Sequence, residues 1–148
     1  MQVFTNDLLA QLAANLTATA PVALGPLDAC KMILYTNTFA LDRNTVLADL
    51  IQPTYTDYAV QAVTWGGVFT TPDGKFCRYS VSVSWQMGDA MLATTVVGFG
   101  LINTAGDTLL VAESFATPRN LVATTDLIEI LAQVGFANPG VGQSVVLP

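Results

Sequence analysis

The stretch AMLATTVVGFGLINTAGDTLLVAESFA, residues 90–116, decides the fold class. It holds two apolar runs, "TTVVGFGLIN" and "TLLVAESFA", rich in β-branched and aromatic residues. Between them lies "NTAGDT", with Gly106-Asp107 as a turn signal. Strand, tight turn and strand in that order predict an antiparallel hairpin. The glycines at 98, 100 and 106 do not form a phosphate loop, because no helix pattern follows them.

Working outward, the residues before this hairpin alternate cleanly. Cys77, Tyr79, Val81, Val83 and Trp85 predict one inward face. Arg78, Ser80, Ser82, Ser84 and Gln86 predict the opposite, outward face. The "TPDGK" stretch before them reads as a turn at Pro72 and Asp73-Gly74. Upstream of it, "YAVQAVTWGG" reads as another strand, with Gly66-Gly67 at a bulge or bend. Residues 29–36, "ACKMILYT", are apolar on both alternating faces, which predicts a strand covered on both sides. Downstream of the hairpin, "DLIEILAQVGF" fits a strand or a short helix, and its apolar density favours strand. Six or seven strands at about ten-residue spacing predict one mainly β domain, an antiparallel sandwich or barrel.

Two helical elements are expected beside the strands. Residues 5–19 place Leu8, Leu9, Leu12, Ala13 and Leu16 on one stripe, after a cap at Thr5 or Asn6. Pro21 and Gly25-Pro26 end that element. The expected division is an N-terminal helical arm at 1–28 and an antiparallel β-domain at 29–148. The arm's stripe packs either on its own domain or on a neighbour. Near residues 44–51, "NTVLADLI" reads as a short helical turn that begins at Asn44 and is stopped by Pro53.

Composition restricts the function. Charged residues are 11% of the 148, and apolar residues 52%. A soluble domain averages about 25% charged residues. Such a chain needs either a Thr-, Ser-, Asn- and Gln-rich surface or a surface covered in an assembly. The net charge is −6, and the five cations, Lys31, Arg43, Lys75, Arg78 and Arg119, are scattered singly. No basic patch serves a phosphate backbone or an anionic membrane, so neither nucleic acid nor membrane is expected as a partner. No run of about 20 apolar residues is present. The start has no basic segment before an apolar core, which predicts no signal peptide. Without an export signal, Cys30 and Cys77 are expected as reduced, buried thiols rather than a disulfide.

The sequence contains no histidine. That removes His-based triads and the usual general base near neutral pH. Two cysteines do not complete a Cys₄ zinc site, and no cofactor motif occurs, so no metal and no cofactor are expected. The carboxylate pairs Asp49/Asp57 and Asp126/Glu129 are the enzymatic option that remains, as acid and base of a hydrolase. Scattered acids in an acidic domain are more commonly solubilising charges, and no enzymatic activity is expected. Trp65, Trp85, Tyr55, Tyr58 and Tyr79 either line a sugar groove or belong to the core, as aromatic residues on alternating strands commonly do.

The order of pieces resembles a family of small virion-associated proteins of tailed bacteriophages. Three segments carry the resemblance: Leu34-Tyr35-Thr36-Asn37 ("L-[YF]-x-N"), Thr45 to Ala59 ("TVLADLIQPTYTDYA"), and Gly98 to Phe115 followed by Pro118. The match spans roughly residues 30–130 and leaves residues 1–28 outside. The family often has Gly before the Tyr-Ala pair, where this chain has Asp57. The resemblance implies a virion structural role without an active site. The expectation is a capsid cement, or decoration, protein that contacts the major capsid protein and itself as a homo-oligomer, a trimer by preference. The alternatives are a tail or baseplate component, or a host-glycan-binding module built on Trp65 or Trp85. Expected interface residues are Leu8, Leu9, Leu12, Leu16, Asp49, Tyr55 and Tyr58, the last three chiefly as packing of the helical turn against the first sheet strand.

Overall fold

A computed structural model describes residues 2–6, 27, 29–67, 69–70, 75–88 and 93–137. The described chain is mainly β, and all its strand pairs are antiparallel. The strands are β1 (Gln2–Phe4), β2 (Lys31–Tyr35), β3 (Gln61–Ala62), β4 (Phe69–Thr70) and β5 (Lys75–Tyr79). They continue with β6 (Val83–Gln86), β7 (Thr94–Ile102), β8 (Leu109–Leu121), β9 (Leu127–Ile130) and β10 (Gln133–Ala137). Three sheets result, ordered β1-β8-β7-β2-β3, β10-β5-β4 and β6-β9.

The β7–β8 hairpin forms as its residues dictate, with Phe99 opposite Glu113 and Leu101 opposite Val111. Gly106 turns the chain at φ +86°, a conformation that glycine adopts without a Cβ penalty. Asn103 holds the turn. Its Oδ1 accepts from the N–H groups of Gly106 and Asp107 at 2.9 and 3.1 Å, and its Nδ2 donates to Asp107 Oδ1 at 2.8 Å. Further along, the ladder breaks between Val96 opposite Arg119 and Gly98 opposite Ser114. Four residues of β8, Phe115 to Pro118, therefore face Val97 alone. Pro118, which has no N–H to give a ladder, sits in that bulge.

The two-sided burial of β2 agrees with its sequence. Met32 and Leu34 enter one core with Phe99, Leu101, Val83, Trp85 and Ile128. Ile33 and Tyr35 enter a second core with Leu41, Leu50, Ile102 and Leu109 on the other face of the sheet. Full burial of each large side chain contributes about 1.5–3 kcal/mol.

Residues 75–86 differ from expectation. They are two strands in two sheets, and the alternation slips between them. Ser80 is 4% exposed, whereas Val81 is 56% and Tyr79 41% exposed. Val83 and Trp85 do point inward, and Ser82 and Ser84 outward. The slip comes from long-range hydrogen bonds. Ser80 N–H donates to the Ala132 carbonyl at 2.8 Å, and Ser80 Oγ accepts from Ala132 N–H at 2.9 Å. Val81 N–H then donates to the Thr64 carbonyl at 2.7 Å. Three steps separate the inward Ser80 from the inward Val83, so a strict period of two cannot run through. The side chain of Cys77 lies outside the described residues; Cys30 is a buried thiol.

Other elements are shorter than their patterns. "YAVQAVTWGG" supplies only the two residues of β3 and an isolated bridge from Trp65 to Ser80. "DLIEILAQVGF" is two strands, β9 and β10, rather than one strand or a helix. Gln2 to Phe4 form a strand against Glu113 to Val111. Thr5, read with Asn6 as a helix cap, is buried and bonds β8: its Oγ1 donates to the Leu109 carbonyl at 2.7 Å, and Asn6 after it is helical. Leu27 is fully buried in the main core. Both ends of the span 1–28 are thus built into the β-domain. The expected helix positions Leu8, Leu9, Leu12 and Leu16 lie outside the described residues.

Candidate functional site

The segment Thr45–Ala59 carries several polar side chains with defined partners. It begins at a turn that Asp42 organises, accepting from Asn44 N–H at 2.8 Å. Thr45 Oγ1 accepts from Asp42 N–H at 2.9 Å, and Thr45 itself is buried. A single 3₁₀ turn follows at Leu47–Asp49. The expected helical turn is therefore present, but Asn44 does not cap it. The turn is closed by Asp49, whose Oδ2 accepts from Val46 N–H at 2.9 Å. An acidic group on a first-turn N–H is stabilising because it meets an otherwise unpaired donor.

Asn37 then locks this turn to β2. Its Nδ2 donates to the Asp49 carbonyl at 2.7 Å, and its Oδ1 accepts from Ile51 N–H at 2.8 Å. The side-chain amide thus acts as one residue of a strand ladder. Thr36 N–H adds a bond to the Ile51 carbonyl at 2.8 Å. Leu47 and Leu50 cover the second core, and Tyr55 enters the first. The segment therefore wraps round the edge of β2 from one face to the other.

Tyr58 closes that edge. β3 pairs with β2 only at Lys31 and Met32, which leaves the Leu34 backbone facing outward. The Tyr58 hydroxyl accepts from Leu34 N–H at 3.1 Å and donates to Gln52 Oε1 at 3.0 Å. Burial pushes its pKa up to about 12, against the opposing Leu34 bond. Tyr55 packs edge-on against Tyr58, with ring centroids 5.6 Å apart. Its hydroxyl is buried without a hydrogen-bond partner among the described residues. Burial and the nearby Asp57 both raise its pKa.

A second junction lies at Gly98. The Tyr35 ring crosses this glycine, and Tyr35 Oη lies 2.8 Å from Ser114 Oγ. Three segments therefore meet: Leu34 to Asn37 touch the 45–59 wrap on one side and the 98–115 hairpin on the other. Sequence reasoning singled out Asp49, Tyr55 and Tyr58 but not Tyr35, Asn37 or Gly98 as the residues that join them. The "L-Y-x-N" pattern was the available signal.

The other candidates separate. Trp85 is buried and donates from Nε1 to the Ala59 carbonyl at 2.8 Å; Trp65 Nε1 donates to the Leu27 carbonyl. Both indoles are committed to the fold. Asp49 is engaged on its own turn. Asp126 Oδ2 accepts from Val122 and Ala123 N–H at 2.7 and 2.9 Å. Those two bonds hold its pKa below the usual carboxylate value. Asp126 and Glu129 do share an open cleft of about 550 Å³ between β8 and β9. A glycosidase acid needs a raised pKa, and Asp126 is shifted the opposite way. Among the described residues no group of three or more His, Cys, Asp or Glu could hold a metal ion, and no helix is long and apolar enough to cross a membrane.

No family model matches the chain, and no curated protein and no solved structure is significantly similar to it.

Proposed function

We propose that this chain is a virion structural protein of a tailed bacteriophage, a capsid decoration protein that packs as an antiparallel sandwich and binds the major capsid protein as a homo-oligomer, most simply a trimer. The observation that carries the reading is the combination of few charges with exposed aliphatic side chains. Val46, Ile51, Val81, Val122, Leu127 and Leu131 are all exposed in a chain that is 11% charged. Scattered apolar residues are ordinary on a monomer. With so little charge around them they are better suited to contact other protein, since stable interfaces deplete charge at their centre. The polar constellation at 45–59 supports the same role, because Thr45, Asp49 and Tyr58 hydrogen-bond to backbone of the same chain. The phage resemblance in 30–130 supplies the particular setting.

Copy number in purified virions tests the reading. Hundreds of copies per particle, with the pure protein co-sedimenting with capsid shells, are expected. A few to a few dozen copies would assign it to the tail or baseplate. Absence from the particle would reject a virion role.

A further inference from the structure

We propose that the open cleft between β8 and β9 binds a neutral saccharide, with sugar hydroxyls on Arg119, Asn120, Asp126 and Glu129 and a sugar ring face against Phe115 and Pro118. The site goes beyond the decoration reading and does not depend on it. The two strands are joined by the turn 122–126 but lie in different sheets, β8 in the five-stranded one and β9 with β6. Their separation leaves a cleft of about 550 Å³, within the usual range of ligand sites.

The chemistry of the lining selects the ligand. Sites for apolar small molecules are lined mainly by hydrophobic side chains, whereas the surface of this cleft is mainly polar. Donors and acceptors are mixed in it. Asn120 Oδ1 accepts from Thr95 Oγ1 at 2.8 Å, which fixes the amide and leaves Nδ2 as a donor without a partner among the described residues. Asp126 Oδ2 is held by the Val122 and Ala123 N–H groups, which leaves Oδ1 as an acceptor. Arg119 and Glu129 are exposed and make no side-chain hydrogen bond or ion pair with another described residue. Two carboxylates outnumber one guanidinium, which disfavours an anionic ligand. An ammonium ion suits the carboxylates but carries only donors, so it leaves Arg119 and Asn120 Nδ2 without acceptors. Neighbouring hydroxyls of a sugar donate and accept at once, and so match all four side chains. Hydrogen bonds to the charged members are the stronger kind. The half-buried Phe115 and the exposed Pro118 supply ring surface for the sugar's C–H face. Asp126 and Asn120 are held in place by their own hydrogen bonds before a ligand arrives, which lowers the ordering cost of binding.

The test uses the full-length protein without capsid shells. It is applied to a printed array of mannose-, galactose-, glucose- and N-acetylglucosamine-terminated glycans, with sialylated and glucosamine-terminated glycans beside them. The neutral glycan giving the strongest signal is then titrated against isotope-labelled protein. A dissociation constant on the order of 1 mM or tighter is expected, with amide shifts concentrated at residues 115–121 and 126–129. Glu129→Gln is expected to weaken binding about tenfold. Asp57→Asn makes the same charge change at an exposed carboxylate outside the lining and should weaken it by less than about twofold. If Glu129→Gln lowers the melting point, Arg119→Gln takes its place. Three results overturn the site: no neutral glycan bound, binding confined to the sialylated or glucosamine-terminated glycans, or binding that these variants leave unchanged. None of them bears on copy number in the virion, which tests the decoration reading separately.

Discussion

Replacing Gly98 by alanine probes the junction that joins the hairpin to β2. A Cβ built on Gly98 would stand 2.1 Å from the Glu113 carbonyl oxygen, 2.4 Å from Tyr35 Oη and 2.5 Å from Tyr35 Cζ. The first neighbour is backbone in the adjoining strand, so it cannot swing aside as a flexible side chain does. Relief requires β8 to move or Tyr35 to leave Ser114. Overpacking of this kind costs about 1–3 kcal/mol. Disturbing the Tyr35–Ser114 bond adds about 0.5–1.5 kcal/mol. Reduced freedom of the unfolded chain returns about 0.4–1 kcal/mol. The net expectation is a loss of about 2–3 kcal/mol, and for a chain of this size a fall in melting temperature of roughly 5–10 °C. Urea denaturation followed by tryptophan fluorescence measures it, with the slope against urea unchanged. Gly67→Ala is the control, because its Cβ would meet nothing within 4 Å. Leucine at Tyr35 should not rescue Gly98→Ala, since the tightest contact is with backbone. A Gly98→Ala protein within about 0.5 kcal/mol of wild type, the scatter of ordinary surface substitutions, would refute the close packing at this point.

Three further outcomes are expected. Val83→Asp should prevent cooperative folding, because it buries an unpaired carboxylate, whereas Val81→Asp should fold normally; circular-dichroism melts of both decide whether the phase slips at Ser80. Tyr58→Phe should cost about 1–3 kcal/mol by leaving Leu34 N–H unpaired at the sheet edge, read from denaturant midpoints. Because the Tyr58 pKa is raised to about 12, its neutral form is favoured in the folded state, so the stability it supports is complete below about pH 10 and lost as pH rises toward 12; Tyr58→Phe should flatten that alkaline loss, and an unchanged profile would assign it to other groups. Asp126, whose pKa is lowered, acts with the opposite sign: its contribution is present above the ordinary carboxylate range and lost on acidification, so Asp126→Ala should lower the neutral melting point and soften the acid-side decline.

The sequence by itself determined the elements whose information is local. The Asn103–Thr108 turn needs a glycine at positive φ and an Asn to hold it, and both stand in the chain. The continuous apolar run at Met32–Tyr35 required a strand covered twice, and two cores cover it. Val83 and Trp85 face inward because a period of two holds within one strand. Tertiary structure decided what depends on which strand receives which neighbour. Ser80 is inward because Ala132, 52 residues away, bonds both its backbone and its hydroxyl. Thr5 is tied to β8 because carbonyls of β8 are within its reach. Tyr58 serves an edge that exists only because β3 is two residues long. The cleft at Arg119 opens because β8 and β9 are claimed by different sheets. A pattern of apolar residues records how each residue is buried along its own strand. It does not record the pairing of strand ends, which is set by hydrogen bonds and packing between residues far apart in the chain.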